Sequence, residues 1–156
     1  MVAKYRDGLL PAPGPDTDAE TDLQGALLAA SITADAAMLK LDFSTALMAM
    51  KAFVDVVNGY VTEQEPWVLA KDEANSERLS TVLYTICESL RAIAVLHHAV
   101  MPKATMSLWE QLGADRALGP IGEQNVLDVA RWGQLPPGTP ITKGAILFPR
   151  LEEAAE

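Results

Sequence analysis

The sequence predicts an all-α protein, an antiparallel helical bundle with an irregular C-terminal strap. Three observations predict it. Apolar residues recur at steps of three and four from residue 17 to about residue 132, the period of one helix face. Pro66, Pro102 and Gly113 fall at breaks between those runs, where helices start or stop. Beyond residue 133 the periodicity gives way to a Pro/Gly-rich stretch with a short apolar patch and an acidic end. A chain of 156 residues is one domain's worth, and residues 1–156 read as one unit. Its zones are a leading segment and Pro/Gly loop (1–16), a helical bundle (17–132) and the strap (133–156).

Taken in order, Leu23, Leu27, Ala30, Ala34, Met38 and Leu41 share one face of a first long helix. Thr17 or Asp18 is its expected cap, with Glu20 and Asp22 in the first turn, where the helix dipole favours anions. Phe43, Leu47, Met50, Val54, Val57 and Val61 repeat the pattern after a start at Asp42 or Ser44. The stretch from Ala46 to Val57 is apolar on more than one face, which predicts a helix buried among neighbours. Pro66 fits the first turn of a short helix, Pro66 to Lys71, because its missing N–H would have no partner there. Asp72 to Ser76 reads as a connection. Leu79, Leu83, Ile86, Leu90, Ile93, His97 and Val100 then share a face of a long helix that Pro102 is expected to end. Met106, Trp109 and Leu112 mark a shorter helix stopped by Gly113, and residues 122–131 a last, weaker one. In the strap, residues 135–144 read as consecutive turns, and residues 145–151 as an extended apolar segment docked on the bundle.

The composition narrows the function. Hydrophobic residues are 49% and charged residues 21% of the chain, as in ordinary globular proteins. No uninterrupted apolar run approaches the ~20 residues of a membrane span, and no secretory signal pattern opens the chain. A single cysteine, Cys87, excludes an internal disulfide framework, and the fit is a soluble, reducing, cytoplasmic setting. The formal net charge of −9 argues against broad electrostatic binding to nucleic acid. Catalytic signatures are absent: there is no Gly-rich phosphate loop, nucleophile elbow or zinc-binding His pair at helical spacing. His97 and His98, the only histidines, point about 100° apart on a helix, so they cannot chelate one metal. The expectation is that one is half-buried and the other solvated. Cys87 lies ten residues from His97, about 15 Å along the helix, too far for a nucleophile–base pair, and reads as a small core residue. Glu63, Glu65, Asp72 and Glu73 cluster near Pro66 and read as a solvated face. Arg91, His97, His98 and Lys103 make the second half of the long helix locally basic.

Trp67 follows a proline in an otherwise charged loop. By itself the pattern allows either a core tryptophan or an aromatic platform that stacks on an unpaired base.

The run Asn58-Gly-Tyr-Val-Thr-Glu-Gln-Glu-Pro-Trp-Val-Leu-Ala-Lys71 resembles the anticodon-binding domain of methionyl-tRNA synthetases, whose pattern is Asn-x-Tyr, a few polar residues, then Pro-Trp-x-x-x-Lys. The likeness continues through Lys4 to Gly8, Leu79 to Tyr84, Leu90 to Ala94, Met101-Pro102, Leu108 to Gly113 and Leu147 to Glu152. It implies a helical bundle of the class I synthetase anticodon-binding type that reads the CAU anticodon of methionine and initiator tRNAs. Trp67 would stack on an anticodon base, Pro66 would fix its position, and Asn58 would offer a donor and an acceptor. Tyr60 would be a packing residue. For Asn58 a plain helix-surface amide, and for Pro66 a plain helix start, are the competing roles. The family also carries an asparagine and an arginine, four apart, at positions that would lie upstream of Met1. The catalytic nucleotide-binding fold is likewise outside this sequence, and an excised domain or a truncated gene product is the expectation. No cofactor is expected in this chain, since ATP and methionine would bind the catalytic domain. No catalytic residue, metal or membrane partner is expected either. The expected partners are the methionine tRNA anticodon loop and a class I catalytic domain in cis or trans. The chain would make no methionyl-tRNA by itself. The alternatives are a helical docking domain that has lost tRNA reading and, least supported, a small helical enzyme.

Overall fold

The computed structural model describes residues 1–149, and helices account for most of them. A single turn, α1 (Val2–Tyr5), leads into Arg6, whose guanidinium donates to the Ser76 carbonyl at 2.7 Å and to Ser80 Oγ at 2.9 Å. Helix α2 (Asp18–Met38) starts at Thr17, which caps it through a reciprocal box with Glu20. Leu23, Leu27, Ala30 and Ala34 form its buried face, as their spacing predicts. Leu41 does not extend that face: α2 stops at Met38, and Leu41 lies in the connecting loop at φ +59°, 73% exposed.

Asp42 caps α3 (Phe43–Gln64) by accepting from the Thr45 N–H. The buried face of α3 is Ala46, Met50, Phe53, Val57 and Tyr60. This corrects the expected stripe: Phe43 and Leu47 are exposed, Val54 and Val61 half-buried, and Met48 and Val56 face outward. The physical reason lies at the far end of the helix. Tyr60 donates its hydroxyl to the buried carboxylate of Glu20 on α2, and stepping back three, four, three and four residues from Tyr60 gives the face that is buried.

Helix α4 (Pro66–Leu69) and a 3-10 turn at Glu73–Asn75 lead into α5 (Ser76–His97), the centre of the molecule. It packs against α2, α3, α4, α6 (Pro102–Gln111) and α8 (Val126–Val129). The stretch Glu73–His97 is long and apolar enough to cross a bilayer, yet most of it is buried among these helices. Burial therefore extends well beyond the predicted stripe, taking in Val82, Tyr84, Glu88, Arg91 and Ala92. Ile86 and Leu90 are only half-buried, because with Leu108 and Leu112 they line an open groove beside α1. The helix ends at His97, not at Pro102. Val100 is exposed, and Pro102 opens α6 at its first turn. In α6 Trp109 is buried and donates to the Gly119 carbonyl at 2.9 Å, whereas Met106 is exposed. Gly113, at φ +66°, ends that helix as expected, and α7 (Ala114–Leu118) follows. The expected helix at 122–131 is instead a 3-10 turn at Ile121–Glu123 and the four residues of α8.

The strap is held by α5. Glu88 accepts from the backbone N–H groups of Gln134 at 3.0 Å and Leu135 at 3.1 Å. It also pairs with Arg91 at 2.8 Å, and Arg91 donates to the carbonyls of Val129 and Arg131. Tyr84 donates to the Leu135 carbonyl at 3.0 Å. The strap then runs beside residues 8–10, with an isolated antiparallel bridge between Leu9 and Pro140. It passes so close to Gly113 that a Cβ there would lie 2.5 Å from the Pro140 oxygen. Docking continues to Ala145, whose carbonyl accepts from Gln111. The expected docking of 145–151 is corrected for its middle: Ile146 is 79% and Phe148 68% exposed. Arg150 and the residues after it lie outside the described residues.

Removing Glu88 leaves the Arg91 guanidinium buried without its counter-charge. Glu88→Ala is expected to lower unfolding stability by about 3–5 kcal/mol in urea titrations. It should also speed hydrogen exchange at the Gln134 and Leu135 amides, which lose their acceptor.

Candidate nucleic-acid interface

The residues singled out near Pro66 sit where α3 hands over to α4. One residue, Glu65, is both the last cap of α3 and the first cap of α4, in left-handed conformation at φ +42°, ψ +57°. Its N–H donates to the Val61 carbonyl, and its own carbonyl accepts from Val68 and Leu69. The chain thus passes from one helix to the next through a single left-handed residue. Pro66 follows at the first position of α4 and is buried. Trp67, next to it, is 44% exposed, and among the described residues its indole N–H has no hydrogen-bond partner. The core alternative for this tryptophan is therefore not what the fold adopts; Trp109, 1% exposed and hydrogen-bonded, shows what a core tryptophan here looks like. Asn58 lies on the exposed side of α3, seven residues before Glu65, with its side-chain amide free of hydrogen bonds among the described residues. Tyr60 points the other way, into the core.

Beneath this surface lies a charged knot. The carboxylate of Glu20 is fully buried. It accepts both arms of the Arg78 guanidinium at 2.9 Å, the Thr17 N–H at 2.9 Å, the Thr17 hydroxyl at 2.7 Å and the Tyr60 hydroxyl. Arg78 also donates to Gln64 Oε1 at 2.5 Å. Burial alone would raise the Glu20 pKa, but the bonds from Arg78, Tyr60 and Thr17 outweigh it and hold the carboxyl down at about 2. Burial and the neighbouring Glu20 push the Tyr60 phenol well above its usual range. Glu20, Arg78 and Gln64 were not recognisable as a unit in the sequence. Thr17 read as a possible cap and Glu20 as a first-turn anion, but neither their reciprocal bonding nor the convergence of Glu20 with a residue 58 positions away was legible.

Other groups stand apart from the site. Glu63, Glu65, Asp72 and Glu73 are exposed, consistent with a solvated face, and Lys71 among them is the exposed cation nearest Trp67 in sequence. The expected basic half of α5 is corrected. Arg91 is 1% exposed and paired, and His97 is buried with Nδ1 against the Ile93 carbonyl. His98 is half-buried and bonded to Thr105, so neither histidine is solvated. A helix buried on this many sides turns its cations inward. Cys87 is buried, and burial pushes its thiol up to about 12, so it is no nucleophile near neutral pH. Among the described residues no group of three His, Cys, Asp or Glu side chains is placed to hold a metal.

Residues 10–156 match the family model described as the anticodon binding domain of methionyl tRNA ligase. The chain belongs to this family. It is 49% identical to the methionine–tRNA ligase of Streptomyces coelicolor over 98% of its own length and 29% of that protein. With the enzyme of Halalkalibacterium halodurans the identity is 37%, over 100% of this chain and 23% of the relative. The fold superposes on Mycobacterium tuberculosis methionyl-tRNA synthetase in complex with methionyl-adenylate with a TM-score of 0.84 and 31% identity. That match covers 96% of this chain and 28% of the other. The chain thus spans under a third of these relatives, and its match is to the anticodon-binding domain, a helical module without the catalytic part.

A free glutamate side chain titrates near 4.5 and the folded Glu20 near 2, so the folded state binds fewer protons between these values. The contribution of Glu20 is intact above pH 4.5 and is lost as the pH falls toward about 2. Glu20→Gln should therefore destabilise the domain at neutral pH and make the fall of its melting temperature across this window shallower, as calorimetry at stepped pH would show.

Proposed function

We propose that this anticodon-binding domain reads the CAU anticodon of methionine and initiator tRNAs, with Trp67 as the platform on which one base stacks. The observation that carries the reading is the pairing of a buried proline with a half-exposed indole whose N–H has no partner among the described residues, beside exposed Val68 and flanked by the exposed charges of Glu63, Glu65, Lys71 and Asp72. Unpaired anticodon bases can splay out and stack on such a ring, and Asn58 offers an amide donor and acceptor to a base edge from the exposed side of α3. Pro66 restricts the backbone just before the ring. The catalytic step, with its ATP and methionine, belongs to a class I catalytic domain in cis or trans, and the setting is cytoplasmic.

The charge distribution supports a limited kind of contact. With a net charge of −9 the exposed cations, Lys71 and Lys103 among them, are outnumbered by exposed carboxylates, which limits contact with phosphates. Recognition by this domain is then carried mostly by bases.

Titration with stem-loop RNAs bearing CAU or a permuted triplet tests the reading. We expect weak binding that prefers CAU and depends little on salt. Trp67→Ala should weaken CAU binding by about 1–3 kcal/mol. Its unfolding stability should fall by no more than about 2 kcal/mol, since the ring is only partly covered and is not part of the buried core. Equal affinity for both RNAs would overturn the reading and favour a docking domain without tRNA recognition. A Trp67→Ala effect confined to stability would return the ring to a packing role.

A further inference from the structure

We infer that Arg78 is a positioning residue for Trp67, aiming the ring from α5 through Gln64; its consequence for RNA rests on the platform reading above. Gln64 is the last residue of α3, immediately before the left-handed Glu65 on which the direction of α4 depends. A helix end is the part of a helix most free to fray, because its last carbonyls lack partners within the helix. Here the end is clamped. One Nη of Arg78 spans Gln64 Oε1 at 2.5 Å and Glu20 Oε1 at 2.9 Å, and the other Nη holds Glu20 Oε2 at 2.9 Å. Glu20 is fully buried and fixed further by Thr17 and Tyr60, so the clamp is anchored to α2 and to the core-facing side of α3 as well as to α5. A planar guanidinium can hold a carboxylate with two donors and still reach a third acceptor, which a lysine ammonium does not do in one plane. The structure thus links the ion pair of half-buried Arg78 with buried Glu20 to a half-exposed aromatic three residues beyond Gln64.

The test separates aiming from stability. Gln64→Leu removes the acceptor but leaves the Arg78–Glu20 pair intact, so the chain is expected to stay folded. With the whole chain labelled with fluorotryptophan, the three tryptophans give fluorine NMR signals assignable by single Trp→Phe variants. In Gln64→Leu the Trp67 signal should shift or broaden while those of Trp109 and Trp132 stay in place. Binding of the CAU stem-loop should weaken about tenfold. Gln64→Glu, whose carboxylate also accepts from a guanidinium, should restore both. An unmoved Trp67 signal in Gln64→Leu, or all three signals moving together, would overturn the inference. If the Trp67 signal moves but neither Gln64→Leu nor Trp67→Ala alters RNA binding, the positioning role stands and the base-platform reading falls.

Discussion

A helix enclosed on nearly all sides must find a partner for every polar group it carries, and α5 carries many such groups. Thr81, Thr85, Glu88, Ser89 and Arg91 are all buried in it. An unpaired buried charge costs several kcal/mol, so Thr81, Glu88 and Arg91 dictate where other parts of the chain must lie, whereas Ser89 is satisfied within the helix by the Thr85 carbonyl. Thr81 receives the Gly14 amide and so places the Pro/Gly loop. Glu88 and Arg91 together engage carbonyls and amides from Val129 to Leu135 and so place the strap. Near its exposed start, Arg78 meets Glu20 and so fixes α2 and α3 against α5. Among the described residues no buried side-chain polar atom is left without a partner.

This division of labour accounts for what could be read from the sequence. The face of α2 was legible because one side of that helix meets solvent, and the three-four spacing of Leu23, Leu27, Ala30 and Ala34 records it directly. The face of α3 was not, because Leu47, Met48 and Val56 offer apolar alternatives and the choice is made by Tyr60 reaching a carboxylate on another helix. In α5 the stripe from Leu79 to Ile93 was a true but partial description, since periodicity measures contrast between two sides and most of this helix has no wet side. The short pieces after Gly113 escaped because their shape follows from side-chain bonds to distant acceptors.

The candidate site divides in the same way. Trp67 and Pro66 were visible as an unusual pair in a charged stretch, and the resemblance implied a role for them. The support beneath them was invisible because it joins residues 17, 20, 60, 64 and 78, which no local pattern connects. Glu20 shows the difficulty well: a glutamate in the first turn of a helix is ordinarily a surface residue stabilised by the dipole, and only the approach of Arg78 and Tyr60 explains its complete burial.

Glu65 gives this arrangement a further meaning. Because α3 and α4 share a single cap, the bearing of α4 is a function of two backbone torsions in one residue. A change in α3 length by one residue would swing everything after the hinge by about 100° around the α3 axis while leaving the sequence of the tryptophan loop intact. The loop motif is therefore meaningful only at a fixed phase of the helix before it, and homologous chains should tolerate insertions after Lys71 far better than between Asn58 and Glu65.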